Sequence, residues 1–395
     1  MISQKMLPFL QNNSAIRAMF EEGKEMAKKY GRENVYDFSL GNPSVPAPEE
    51  VNQAIRDVLD EEDSLFVHGY MSNSGYEDVR ADIAASLNRR FGTAYAAKNL
   101  IMTVGAASAL NIILKSILDP GDEVITFAPF FVEYGNYVRN YDGKLVVLPP
   151  ASADFQPDLA GLAKAVTPKT KAVIINTPNN PTGVIYSAES LRGMGDVLRE
   201  KEREFGTDIL IISDEPYREL AYDGCSVPWV PDFYENTVVC YSYSKSLSLP
   251  GERIGYALIP DSVSDSEDLI QVATIANRVN GSVNAPSLIQ RVIRRCLAVK
   301  VNVAAYDRNR NDLYNGLTKL GFTCVRPQGA FYLWVKSPDE DEKKFVAACK
   351  EEHILVVPGS SFFGPGYVRI AYCVSNDMIH RSMPAFAKVA EKYGL

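Results

Sequence analysis

The stretch TVVCYSYSKSLSLPGERIGYAL, residues 237–258, decides the fold. It opens on an apolar run at 237–241 and breaks into serines around a single Lys245. It then turns at Pro250-Gly251 and passes Arg253 into a second apolar run at 254–258. Apolar residues at nearly every position, rather than at alternate ones, suit a strand covered by helices on both faces. Working outward, the same rhythm runs from about residue 98: a short apolar run, a turn of small residues, then an amphipathic stretch. Further strands are expected at 100–104, 123–127, 144–148, 172–175 and 209–213, which makes seven with the two already quoted. Helices are expected at 107–117, ended by Asp119-Pro120-Gly121, and at 188–204, with Ser187 as N-cap. The alternation predicts an α/β fold with a mostly parallel seven-stranded sheet.

Beyond residue 285 the rhythm changes. A long mixed stretch at 286–320 has helical spacing and fits a hinge or linking helix. Strand-like runs at 322–325, 330–334, 354–357 and 367–372 then interleave with helices at 340–352 and 377–393. This reads as a smaller α+β domain, joined by the N-terminal segment with its helix at 16–30 and extended run at 35–40. The expected organisation is a large domain over 46–285 and one discontinuous small domain from 1–45 and 286–395. The acidic run Asp339-Glu340-Asp341-Glu342 reads as a solvated helix start.

Composition narrows the function. The chain has 395 residues, 46% hydrophobic and 23% charged, a makeup that excludes disorder. Its formal net charge is −8 and no Lys/Arg run forms a stripe, which argues against nucleic-acid binding. Six cysteines are scattered without a Cys-x-x-Cys pair, and three histidines are too dispersed for a metal pair or a nucleophile triad. No metal site is expected. No apolar stretch reaches the ~18 residues of a membrane helix, and no secretory leader is visible, so a reducing cytoplasm is the expected compartment.

In open α/β sheets, ligands sit outside the carboxyl ends of the strands. Four such ends carry unusual residues. Lys245 follows one buried strand, and a desolvated lysine is pushed toward its neutral form, which can attack a carbonyl. Asp214, in Asp214-Glu215-Pro216-Tyr217, closes an all-apolar strand and needs a partner to stay ionised, for which a protonated pyridine nitrogen is suitable. Taken singly, these are an ordinary loop lysine and a turn cap. The run Asn176-Thr177-Pro178-Asn179-Asn180-Pro181-Thr182-Gly183 offers a rigid amide donor. Gly105-Ala106-Ala107-Ser108 precedes a helix with residues small enough for a phosphate to reach free backbone N–H groups.

Taken together, Lys245 with Arg253, Asp214 with Tyr217, Asn179-Asn180-Pro181-Thr182-Gly183 and Gly105-Ala106-Ala107 resemble the class I/II aminotransferases. These are the aspartate aminotransferase group of fold type I pyridoxal phosphate enzymes, and the resemblance runs from Ser39-Leu40-Gly41 to Val368-Arg369-Ile370. It implies pyridoxal 5′-phosphate held by Lys245 as an internal aldimine, with the released lysine moving the substrate proton. It implies Asp214 on the ring nitrogen, Tyr217 and Asn180 on the 3′ oxygen, and Phe131 stacked on the ring. The implied phosphate ligands are the Ala106 and Ala107 amides after Gly105, Ser242, Ser244, Arg253, and Tyr70 from the second subunit of a homodimer. Arg369 would grip the substrate α-carboxylate, for which a planar guanidinium is suited. Gly41 would let the backbone approach the substrate.

Asn42 and Phe131 depart from the residues common in relatives. No arginine confidently matches the one some relatives use for a second carboxylate; Arg17 and Arg278 are candidates by charge. The implied activity is amino transfer between an L-amino acid, with aspartate the default, and a 2-oxo acid such as 2-oxoglutarate, through a Lys245 aldimine. A C–S β-lyase or decarboxylase could share the same chemistry. A ligand-sensing regulator with this fold would attach a DNA-binding module ahead of it, whereas here the family pattern begins near the N-terminus. A nicotinamide dehydrogenase would need Gly-x-Gly-x-x-Gly after a strand, which is absent.

Overall fold

The structure, a computed structural model, describes residues 1–7 and 15–395, the side chains of 15–18 excepted. Seven strands form the main sheet in the spatial order Leu100–Thr103, Gly255–Leu258, Thr237–Ser242, Leu210–Asp214, Thr170–Asn176, Glu123–Phe127, Lys144–Leu148. Gly255–Leu258 runs antiparallel to both neighbours, while the pairings from Thr237–Ser242 through Lys144–Leu148 are all parallel.

Alternating side chains explain the uninterrupted apolar runs. Ile174 and Ile212 pack on one face with Leu110 and Ile113 of the helix Ala106–Ile117. Val173, Ile175 and Ile211 pack on the other with Leu191, Met194 and Leu198 of the helix Ala188–Phe205. Each such buried aliphatic side chain contributes roughly 1.5–3 kcal/mol, so covering both faces fixes the strand ends in place. Ser187 caps its helix as expected, accepting from the Ser190 amide.

The stretch 286–320 forms two helices rather than one linking helix. Ser287–Arg295 packs Ile289, Val292 and Ile293 against Val51, Val79 and Leu100, on the side of the main sheet. Val303–Lys319 packs Tyr306, Leu313 and Leu317 into a second core with Phe331, Ile370 and Phe386. That core surrounds an antiparallel sheet ordered Val357–Pro358, Tyr367–Ala371, Tyr332–Lys336, Cys324–Val325. The N-terminal strand Tyr36–Asp37 pairs in parallel with Ile354–Leu355, and Phe38 joins the same core. The expected run 354–357 is thus two short strands serving two sheets.

The acidic run departs from its expected solvation. Asp341 caps the helix Glu342–Glu351, but Glu342 is buried and accepts from the Ser360 and Gly366 amides. Among the described residues no helix is long and apolar enough to cross a membrane.

Candidate active site

The carboxyl ends of the central strands open into a cavity of about 290 Å³. Its lining includes Gly41, Ala106, Ala107, Phe131, Asn180, Asp214, Tyr217, Ser242, Ser244, Lys245, Arg253 and Arg369. Residues from four strand ends and from the second core therefore meet in one place.

Lys245 lies on a four-residue helix, Tyr243–Ser246, that starts where the strand Thr237–Ser242 ends. Ser242 caps that helix by accepting from the Ser244 amide at 3.1 Å, and donates to Ser244 Oγ at 2.8 Å. This leaves the Lys245 amine partly buried, donating to the Gly41 carbonyl at 3.0 Å. Its pKa falls to about 8, chiefly because burial penalises the ammonium, with Arg253 and Arg369 pushing the same way and Cys373 opposing.

Asp214 ends its strand fully enclosed. Tyr134 donates to its Oδ2 at 2.5 Å, while Oδ1 is buried without a hydrogen-bond partner among the described residues. Burial raises the carboxyl pKa to about 7 against the lowering effect of Tyr134, and neighbouring Glu215 adds to the rise. Asn176, at the adjacent strand end, donates to the Asp214 carbonyl at 2.8 Å and accepts from the Asn180 amide at 2.7 Å, which ties two strand ends together.

Arg369 comes from the middle of the strand Tyr367–Ala371 and is 2% exposed. Nη1 donates to Asn180 Oδ1 at 3.1 Å and Nη2 to the Ser39 carbonyl at 2.6 Å, while Nε has no partner. The guanidinium rests on the rings of Tyr332 and Phe362, 4.5 and 4.7 Å from their centroids. Protein groups alone thus fix the arginine against the two rings.

The helix Ala106–Ile117 starts at Gly105 with no side-chain cap, so its first amides are available to an anion. Gly105 itself is not part of the lining. It holds φ +91°, and a Cβ there would lie 2.8 Å from Arg253 Nη2, so glycine gives the arginine its place. Arg253 is exposed, has φ +53°, and donates to the Pro250 and Val104 carbonyls at 3.0 and 3.1 Å. Gly41 lines the cavity, and a Cβ there would fall 2.0 Å from Tyr332 Oη, so the glycine makes room for this phenol.

Besides Gly105, two expected residues lie outside the described lining of this cavity. Tyr70 is 96% exposed and lines a separate groove with His68, Met71 and Val283. Arg278 is exposed and outside the lining, and the Arg17 side chain lies outside the described residues. Conversely, sequence reasoning missed Asn176, Tyr134 and Tyr332. Asn176 stood inside a run already singled out and Tyr134 lies three residues beyond Phe131, whereas Tyr332 lay in an expected strand with no signal of its own.

The comparisons with known proteins agree with this geometry. The family described as aminotransferase class I and II matches residues 33–386. An aminotransferase of Eubacterium rectale, known from its crystal structure, matches with a TM-score of 0.97 at 47% identity, covering 100% of this chain and 99% of that one. The aspartate/prephenate aminotransferase of Thermus thermophilus is 32% identical over 89% of this chain and 90% of that protein. The aspartate aminotransferase of Bacillus subtilis is 32% identical over 96% and 97%. A match over nearly the whole chain, joined to a lysine, an aspartate and an arginine converging at strand ends, identifies the chain as a member of the class I and II aminotransferase family, which uses pyridoxal phosphate.

Proposed function

We propose that the protein transfers the amino group of an L-amino acid to a 2-oxo acid in two half-reactions, with aspartate and 2-oxoglutarate as the first pair to test. One observation carries this reading: a partly buried amine, Lys245, shares a cavity with a buried carboxylate, Asp214, whose Oδ1 has no protein partner. The residues present suit pyridoxal phosphate. Asp214 Oδ1 is an acceptor for a protonated ring nitrogen. The uncapped Ala106 and Ala107 amides, the Ser242 and Ser244 hydroxyls and Arg253 form an anion cradle. When bound, the cofactor supplies the electron sink that makes negative charge at the amino-acid Cα accessible.

This chain's own groups do the rest. Lys245 Nζ takes the Cα proton of the donor amino acid in one half-reaction and delivers a proton to the Cα of the product amino acid in the other, and burial, which lowers its pKa to about 8, favours the neutral amine this needs. Asp214, whose pKa burial raises to about 7 against the lowering effect of Tyr134, is favoured in its ionised form by a positive partner. Tyr217 and Asn180 donate to an anionic oxygen, and Phe131 offers a flat apolar face. Arg369, already fixed by Asn180 and Ser39, orients the α-carboxylate. The names of the relatives support aspartate. Lys245, Arg253 and Arg369 are the cations of the described lining, so a second carboxylate needs one from outside it, with Arg17 and Arg278 as candidates.

The working unit in this proposal is a homodimer in which Tyr70 crosses to the other cavity, since it reaches no cavity anion site in its own chain. The packing supports two bodies in each chain, with the change between them near residue 300. The six cysteines are free, and we place the protein in a reducing cytoplasm.

The test is a half-reaction screen of single amino acids against the cofactor-loaded protein, followed by its visible absorption. Conversion with release of the matching 2-oxo acid supports transfer, whereas ammonia with pyruvate would mark elimination and carbon dioxide decarboxylation. Lys245→Ala is expected to abolish the borohydride-reducible link between protein and cofactor; a link that survives in this variant overturns the assignment.

A further inference from the structure

We infer that Tyr332 is a positioning residue that sets the proton of Tyr217 and the plane of Arg369 together, from the far side of the cavity. The inference rests on the aminotransferase reading and adds a residue to it. Tyr332 begins the strand Tyr332–Lys336, in the second core, and its ring lines the cavity. Its hydroxyl lies 3.0 Å from that of Tyr217, 115 residues away, and both are buried. Tyr332 Oη has no other hydrogen-bond partner among the described residues.

Direction follows from this inventory. Either hydroxyl can donate to the other. Once an anionic oxygen enters the cavity, Tyr217 turns its proton toward that charge. Its own oxygen is then left as the acceptor for Tyr332, so the two bonds run in series and each polarises the next. Meanwhile the Tyr332 ring lies 4.5 Å from the Arg369 guanidinium, and the absent Gly41 side chain leaves the space its hydroxyl occupies. The same Gly41 carbonyl holds Lys245 Nζ at 3.0 Å. One phenol therefore touches the tyrosine, the arginine and the backbone segment that contacts the lysine.

The experiment titrates the visible absorption of the cofactor-loaded protein with pH in four forms: wild type, Tyr332→Phe, Tyr217→Phe and the double variant. Removing the Tyr332 hydroxyl weakens the Tyr217 donation. The cofactor's anionic oxygen then keeps more charge and holds the neighbouring imine proton more tightly. Tyr332→Phe is expected to raise the midpoint by about half a pH unit. The same change made in the Tyr217→Phe background should move it by far less, since the relay is already cut. Tyr332→Leu also removes the ring beside Arg369 and should raise KM for all amino acids about tenfold beyond the Phe variant. A midpoint unchanged in Tyr332→Phe, or shifted equally with and without Tyr217, overturns the inference. A wild-type protein with no visible band linked to Lys245 would instead overturn the aminotransferase reading on which it rests.

Discussion

Lys245 pays for its chemistry in stability. Burial lowers its pKa from 10.5 to about 8, so below pH 8 the folded protein holds an ammonium in a poor solvent. Between those values the unfolded chain binds more protons than the folded one, and stability from this group rises with pH across that window. Lys245→Met should therefore stabilise the cofactor-free protein at pH 7 by on the order of 2 kcal/mol. The advantage should shrink as pH passes 8 toward 10.5. Urea unfolding at pH 7 and pH 10 checks this; a gain equal at both would show that packing, not charge, produces it. Lys245 and Asp214 were legible because each is a polar residue adjoining an apolar run, whereas Arg369 was marked only by the family resemblance. Tyr134 and Tyr332 were not, because their partners are 80 and 115 residues away and a tyrosine in an apolar run looks like core.

At the scale of elements, the site is a set of strand ends followed by helix starts. Strand and helix positions from the sequence agree with the structure to within one or two residues in the main sheet, because continuous apolar runs and small-residue turns mark both ends. The split at 286–320 was hidden, since both helices are amphipathic and nothing in the pattern says which core each one faces. Gly105 shows how an element boundary serves the site. Gly105→Ala would place a Cβ at φ +91° and 2.8 Å from Arg253. We expect it to destabilise the fold by about 1–3 kcal/mol and weaken pyridoxal phosphate binding at least tenfold. Gly92→Ala, at φ +70° with open space around it, is the matched control. It should cost about 1 kcal/mol while leaving cofactor affinity unchanged. Equilibrium dialysis of both variants separates strain from site geometry; equal affinities would refute the role given to Gly105.

For the whole molecule, the exposed apolar side chains matter most. Leu65 is 86% and Tyr70 96% exposed, and Val272, Ile275, Val279 and Val283 are exposed too. These side chains suit coverage by the second subunit of the proposed homodimer. Leu65→Asp should weaken self-association about 100-fold, measured by light scattering on a dilution series, and reduce activity in step. A monomeric wild type would refute the dimer.

The sequence by itself determined the layered α/β architecture, which follows from local patterning of apolar runs and breakers. The same patterning singled out Lys245 and Asp214 as polar residues at strand ends, whereas Arg369 was named only through the resemblance to the class I and II aminotransferases. Only the tertiary structure decided that Tyr134 bonds Asp214, that Tyr332 joins Tyr217 to Arg369, and that Gly41 yields its space to a phenol. These contacts join segments far apart in the sequence. No local periodicity encodes them, because they depend on how whole elements pack rather than on which elements form.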